Sequence, residues 1–275
     1  QLVNFHLLFN LTLVICGLPF VVPLANLVKA LITEQEIPEK EYHKPQSALD
    51  YNVLENAELA LASATRELLR MSEQIEIMFN PLMNFFDTST PDQIKAIREM
   101  DETINQTHTE IKLYLAKLNQ QQLSKEQALR SKELVNFAIS MERVGDIICK
   151  DLLRLCETKH KRNLHFSEAG RKELTNLHSR VMTNMQLALN VLISEDLDSA
   201  KQLFDEKQAM RKLEQKSRDS HMQRLGKGNA ESINTSDIHL EVIQGIKEIN
   251  SRFISFSYPI LAKYGMLMKG SGQKN

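Results

Sequence analysis

Leu134-Val-Asn-Phe-Ala-Ile-Ser-Met-Glu-Arg-Val-Gly-Asp-Ile-Ile-Cys-Lys-Asp-Leu-Leu-Arg-Leu155 is the stretch that decides the fold. Leu134, Ala138, Met141, Gly145, Ile148, Leu152 and Leu155 recur in steps of three and four, which puts them on one helix face packed against other helices. Working upstream, Leu61, Ala64, Leu68, Met71, Ile75 and Met78 repeat the pattern and mark a first helix. Asp87-Thr-Ser-Thr-Pro91 joins capping residues to a proline suited to a first helical turn, so a second helix starts there and buries Ile97, Met100, Ile104, Ile111 and Leu118. A polar link at 120–125 leads into the third, and three helices with short links predict an up-down-up bundle.

Downstream, the basic run Thr158-Lys-His-Lys-Arg-Asn163 reads as a solvated joint or a plain surface loop. Leu174, Leu177, Val181, Met185, Ala188 and Leu192 mark a fourth helix that stops near Ser194-Glu-Asp196. A fifth carries Ala200, Leu203, Met210 and Leu213, a flexible break spans 226–237, and a sixth shows Leu240, Ile243, Ile246, Ile249, Phe253, Phe256 and Ile260. A shift of 105 lays the sixth helix on the third: Val135 on Leu240, Ala138 on Ile243, Met141 on Ile246, Val144 on Ile249, Ile148 on Phe253. This reads as a duplicated three-helix unit.

From Leu2 to Val28 there is no Asp, Glu, Lys or Arg, long enough to cross a bilayer core of roughly 30 Å. Pro19 and Pro23 would kink such a helix. The expected organisation is therefore all-α: one N-terminal transmembrane helix over 1–32, a linker over 33–48, three-helix repeats over 49–158 and 164–262, and a tail over 263–275. Gln1 at the start suggests a piece of something longer. Lys29, Lys40 and Lys44 flank the span, and Cys16, Cys149 and Cys156 match no disulfide framework, so the bundle is expected on the cytoplasmic side of a cell membrane. With 34 Lys and Arg against 35 Asp and Glu, the net charge of -1 offers nucleic acid no global attraction.

Met141-Glu-Arg-Val-Gly-Asp146 resembles the Glu-Arg-Ile-Gly-Asp signature of the PhoU family of phosphate-response proteins, whose domains are two three-helix repeats. Residues 57–71, Ser255-Phe-Ser-Tyr-Pro259 and His6-Leu-Leu-Phe-Asn10 resemble parts of the bacterial sodium/phosphate cotransporters that carry a PhoU-like domain behind their last membrane helix. That resemblance implies a C-terminal portion of a transporter that carries phosphate with sodium, with a cytoplasmic PhoU-like domain regulating it. Its partners would be the membrane, the transporter domain before residue 1, phosphate and sodium, and a homodimer is left open. The Gln-Ser-Ser-Ser-type transport motifs of that family are missing, so this chain could not transport alone. The alternative is a membrane-tethered signalling or structural module.

Glu142 and Asp146, four apart, share one helix face, where like charges repel and a hard cation would offset the repulsion. PhoU proteins bind metal through such pairs, so the resemblance implies a divalent or trivalent ion at Glu142 and Asp146, with Asp101 and Asn105 in the positions of the other acidic pair. Asn105 removes a charge there. The plainer reading is a solvated helix edge with Asp146 paired to Lys150 and Arg143 pointing outward. In the second repeat the same places hold Lys247 and Ser251, and more loosely Lys207 and Arg211, so any metal is expected only in the first; salt bridges or an anion would suit the second. Met71, Met78 and Met83 read as core filling or an adaptable surface, and His6 and Asn10 as membrane-helix contacts. No nucleophile-base set and no Gly-rich phosphate loop is present, so no enzyme is expected.

Overall fold

The helices begin where short polar side chains stop the backbone amides from going unpaired. A computed structural model describes residue 9 and residues 47–266, with no strand among them. Asn56 caps α1 (Ala57–Phe79) by accepting from the amides of Glu58 and Leu59. A short α2 (Leu82–Asp87) follows. Thr90 and Gln93 form a reciprocal capping box on α3 (Pro91–Leu118), with the proline in the first turn, and Ser124 and Gln127 do the same for α4 (Lys125–Asp146). After α4 the helix widens into a π turn, Ile147–Leu152, and resumes as α5 (Leu153–Lys161). Ser167 caps α6 (Glu168–Ser194), which ends on left-handed Glu195, and Asp196 caps α7 (Leu197–Gly226). Then come α8 (Ala230–Asn234), α9 (Ser236–Ile254) and α10 (Ser257–Lys263).

α1, α3 and α4 pack on one another, as do α6, α7 and α9. The two triplets meet through α1 on α6 and through α4 and the π turn on α9. Leu68, Met71, Ile75 and Met78 are fully buried in the first half, and Leu174, Ile243, Ile246 and Phe253 in the second. Met83 is 4% exposed, so the three methionines fill the core. The crossing at α9 is close: a Cβ on Gly245 would sit 2.8 Å from Leu152 Cδ2. Arg143 of α4 and Glu248 of α9, residues 105 apart, pair at 3.2 Å across this contact.

The structure corrects the sequence reading in several places. The basic run at 158–163 is no solvated joint, because Lys159 is 3% exposed and donates to the Phe86 carbonyl at the end of α2. His160 reaches Ser89 and the same carbonyl. The break at 226–237 contains α8, and the sixth helix turns at Ser255 into α10. Arg143 points to the other half of the bundle rather than outward. No helix among the described residues is long and apolar enough to cross a membrane. The proposed span over 1–32 and most of the linker lie outside the described residues.

Candidate functional site: an acidic seam between α3 and α4

Gly145 lets α3 and α4 close on each other. A Cβ there would stand 2.9 Å from Asp101 Oδ1 and 3.5 Å from Ile104, so the absence of a side chain makes room for the Asp101 carboxylate. Asp101 is 5% exposed, and its Oδ1 is buried without a hydrogen-bond partner. Burial holds its carboxyl above the usual carboxylate range; the nearby Asp146 adds to this and Glu142 adds less, while the Lys150 ammonium and a hydrogen bond with Cys149 oppose it. Asp146 forms an ion pair with Lys150 one turn on. Burial pushes the Cys149 thiol up to about 11, and Asp101 contributes. Cys156 is also buried, and both thiols are free.

Of the four residues singled out from the sequence, Asp101 and Asp146 come together. Glu142 lies further along the seam, where its charge is felt by His108; burial lowers that imidazole, Lys112 assists and Glu142 opposes. His108 Nε2 is buried and unpartnered. Asn105 instead lines a shallow surface depression with Gln106, Thr109 and Glu110. Among the described residues no group of three or more His, Cys, Asp and Glu side chains is placed to hold a metal ion. A cation fits this seam in one respect: the unpartnered Asp101 Oδ1 and the neighbouring Asp146 are hard oxygen donors. It meets competition in another, since Lys150 already neutralises Asp146.

The π turn that carries Cys149 and Lys150 escaped the sequence reading, as did His108. The available signal was the consecutive apolar run Ile147-Ile148-Cys149, all three buried, which a single α face does not accommodate. In the second half the equivalent seam is filled by pairing. Glu214, 7% exposed, accepts from Lys247 at 3.0 Å and Arg218 at 3.0 Å, and Lys207 donates to the Tyr258 hydroxyl. Nearby, His221 and His239 stack at 4.5 Å where the first half has Leu115 and Leu134.

Residues 68–150, which span α3, α4 and the seam, match the PhoU domain. The chain also superposes on PhoU from Pseudomonas aeruginosa with a TM-score of 0.66 at 17% identity, over 79% of this chain and 100% of that one. The phosphate transport system regulatory protein PhoU from Streptococcus pneumoniae gives 0.67 at 14%, over 78% and 99%. The fold is PhoU-like. Among curated proteins, the "Putative inorganic phosphate export protein YjbB" of Salmonella typhimurium and that of Escherichia coli K12 are each 33% identical over 259 residues, 94% of this chain and 47% of theirs. The chain thus spans about half the length of these homologues.

Proposed function

We propose that this chain is the C-terminal, PhoU-like part of a membrane phosphate-transport protein and that its helical bundle regulates phosphate movement by the part that precedes it. The observation that carries the reading is the 33% identity to YjbB along 94% of this chain, combined with a fold shared with a phosphate transport regulator. The charge-free run from Leu2 to Val28 supports a membrane anchor, and a bundle tethered by a linker of about a dozen residues would act at high effective concentration. The bundle would lie on the cytoplasmic side. The reading is of a regulator rather than a catalyst. Sodium coupling comes from the cotransporter resemblance, while export is what the relatives' name suggests. Radiolabelled phosphate flux in cells, with the complete protein or one ending at residue 46, in sodium or potassium medium, tests all of this. Removing the bundle is expected to change the rate or its phosphate response; unchanged flux would leave only a tether.

A divalent or trivalent cation at Asp101 and Asp146 is the proposed ligand of the seam, with Glu142 an outer neighbour and Asn105 outside it. Metal analysis of the purified bundle should show metal lost in Asp146→Asn and retained in Lys247→Ala. Metal retained in the first, or lost in the second, overturns it.

A further inference from the structure

From Lys207 onward, α7 is predominantly basic, after an N-terminal stretch that carries Asp198, Asp205 and Glu206. Residues 207–227 contain seven Lys and Arg and two Asp and Glu. Of the basic side chains, Arg218 is tied to Glu214 and Arg224 holds Glu173 through two nitrogens, at 2.6 and 2.8 Å. Lys207, Arg211, Lys212, Lys216 and Lys227 are exposed, and among the described residues none has an acidic partner. Lys207, which reaches Tyr258 of α10, and Arg211 share one edge, and Lys212, Lys216 and Lys227 follow another. Between them run exposed Gln208, Gln215 and Met222, with one acidic side chain, Asp219, which accepts from Gln215 at 2.8 Å. The five cations are thus spread over about 30 Å of a straight helix and do not converge on a cavity. The equivalent helix of the first half has its acid in the middle: α3 carries Glu99, Asp101, Glu102 and Glu110 and no Lys or Arg between 99 and 111, with Lys95, Arg98, Lys112 and Lys117 to either side.

We propose that this face of α7 rests on the anionic headgroups of a lipid bilayer. An extended row of flexible ammonium groups without a pocket suits a plane of phosphates better than one small anion, and each such residue adds attraction within a Debye length of the surface. Among the described residues only Lys207 of the five cations lies by aromatic rings, Phe204 at 5.9 Å and Tyr258 at 5.6 Å, too few to stack a run of bases, which weighs against single-stranded nucleic acid. The proposal rests on the membrane reading above and adds an orientation: the second half faces the lipid, and the acidic seam of the first half faces away from the headgroups' negative potential.

The unit from residue 47 onward can be tested without the segment before it, because its described core runs from Leu49 to Leu261 and free-standing PhoU chains of this fold are covered almost completely by it. Co-sedimentation with vesicles of phosphatidylglycerol and phosphatidylcholine, against pure phosphatidylcholine, is the measurement. Binding is expected only with phosphatidylglycerol and should weaken at high salt. Arg211→Glu, Lys212→Glu and Lys216→Glu together should cut the bound fraction at least about tenfold. Lys112→Glu, Lys125→Glu and Lys132→Glu, the same charge change on exposed sites of the first half, should change it less than about twofold. Equal binding to neutral vesicles, equal loss in both triple variants, or retention of duplex DNA without vesicle binding overturns the proposal. Vesicle binding is read independently of phosphate flux, so a bundle that binds lipid yet leaves flux unchanged would sink the regulatory reading alone.

Discussion

The two halves of the bundle are built alike, and their seams are charged differently. Between α3 and α4 a buried carboxylate, Asp101, stands beside Asp146 with one oxygen unpartnered; between α7 and α9 the corresponding seam sets Lys247 and Arg218 on a single buried acid, Glu214. The first seam leaves a carboxylate oxygen unsatisfied, and the second pairs its buried acid twice. A seam that must accept a ligand is held in the first condition and a structural seam settles into the second, because an unpartnered buried polar atom costs stability unless something binds it. The difference extends to titration. Asp101 is pushed up by burial, whereas burial pushes His239 down to about 3, with His221, Arg224 and Arg218 adding to it.

The largest expected effect follows from His239. Its Nε2 is 3.5 Å from a Glu173 oxygen, too long for a hydrogen bond, so the buried neutral ring leaves that nitrogen unpartnered. Below about pH 6.5 the unfolded chain takes a proton that the folded chain refuses, so stability present above that pH is lost on acidification toward 3. Between pH 6.5 and 4.5 the loss should be on the order of 3 kcal/mol in urea melts. His239→Leu, which installs the residue type found at Leu134, should remove most of that pH dependence. An unchanged acid slope would show that the stacked pair is not its source.

Close packing at the glycines comes next. A methyl group at Gly245 would meet Leu152, itself fully buried, so Gly245→Ala should cost about 1–3 kcal/mol. Gly145→Ala would instead press on the Asp101 carboxylate. If the seam holds a cation, thermal melting should show that variant losing metal-dependent stabilisation as well, a loss Gly245→Ala does not share.

These contrasts bear on what the sequence could disclose. The apolar spacing located α1, α3, α4, α6 and α7 because packing of a helix face obeys one periodicity, and the capping run Asp87–Pro91 contains Thr90, the cap of α3, whereas Ser124 and Asp196 show themselves as caps only in the structure. The π turn left only the consecutive apolar run Ile147-Ile148-Cys149 as its sign, since an extra residue in one helical turn leaves the hydrophobic stripe otherwise almost intact. Lys159 was misread because a basic run gives no sign that one member will cap a distant carbonyl. At the candidate site, the Glu142 and Asp146 spacing shows only that the two share a helix face, while the neighbour of Asp146, Asp101, is set by the Gly145 contact and not by periodicity. Asn105 lies one turn from Asp101 on α3 and lines a shallow surface depression, and a shared face along a helix does not fix what lies opposite.

A smaller effect is expected from Asp101 itself. A carboxyl whose folded value is raised contributes stability that is present below its ordinary range and lost as pH rises through the folded value. In chelator, Asp101→Asn should therefore match the native protein near pH 4 and gain about 1 kcal/mol at pH 7. With metal restored the order should invert if the carboxylate is a ligand. A variant less stable than native at pH 7 in chelator would mean that Asp101 is satisfied by contacts other than a cation.

The smallest effect belongs to the place where the halves touch. Arg143 and Glu248 are the same position in two copies of one helix, so their meeting marks the line about which the halves are related. Residues on such a line face their own equivalents, and a perfect duplication would set like charges against each other there. Divergence to opposite signs is the simplest relief, and it explains why the halves could not have kept identical sequences at this point. The pair is partly exposed, at 41% and 32%, and Glu248 also holds Arg252 at 3.2 Å, so a double-mutant cycle with Arg143→Ala and Glu248→Ala should give a coupling of about 0.5 kcal/mol, fading in 1 M salt. Arg143→Glu, which restores like charge at the line, should cost more than Arg143→Ala. If the two variants are equally stable at low salt, the contact is packed by its apolar neighbours alone and the charges at its centre are incidental.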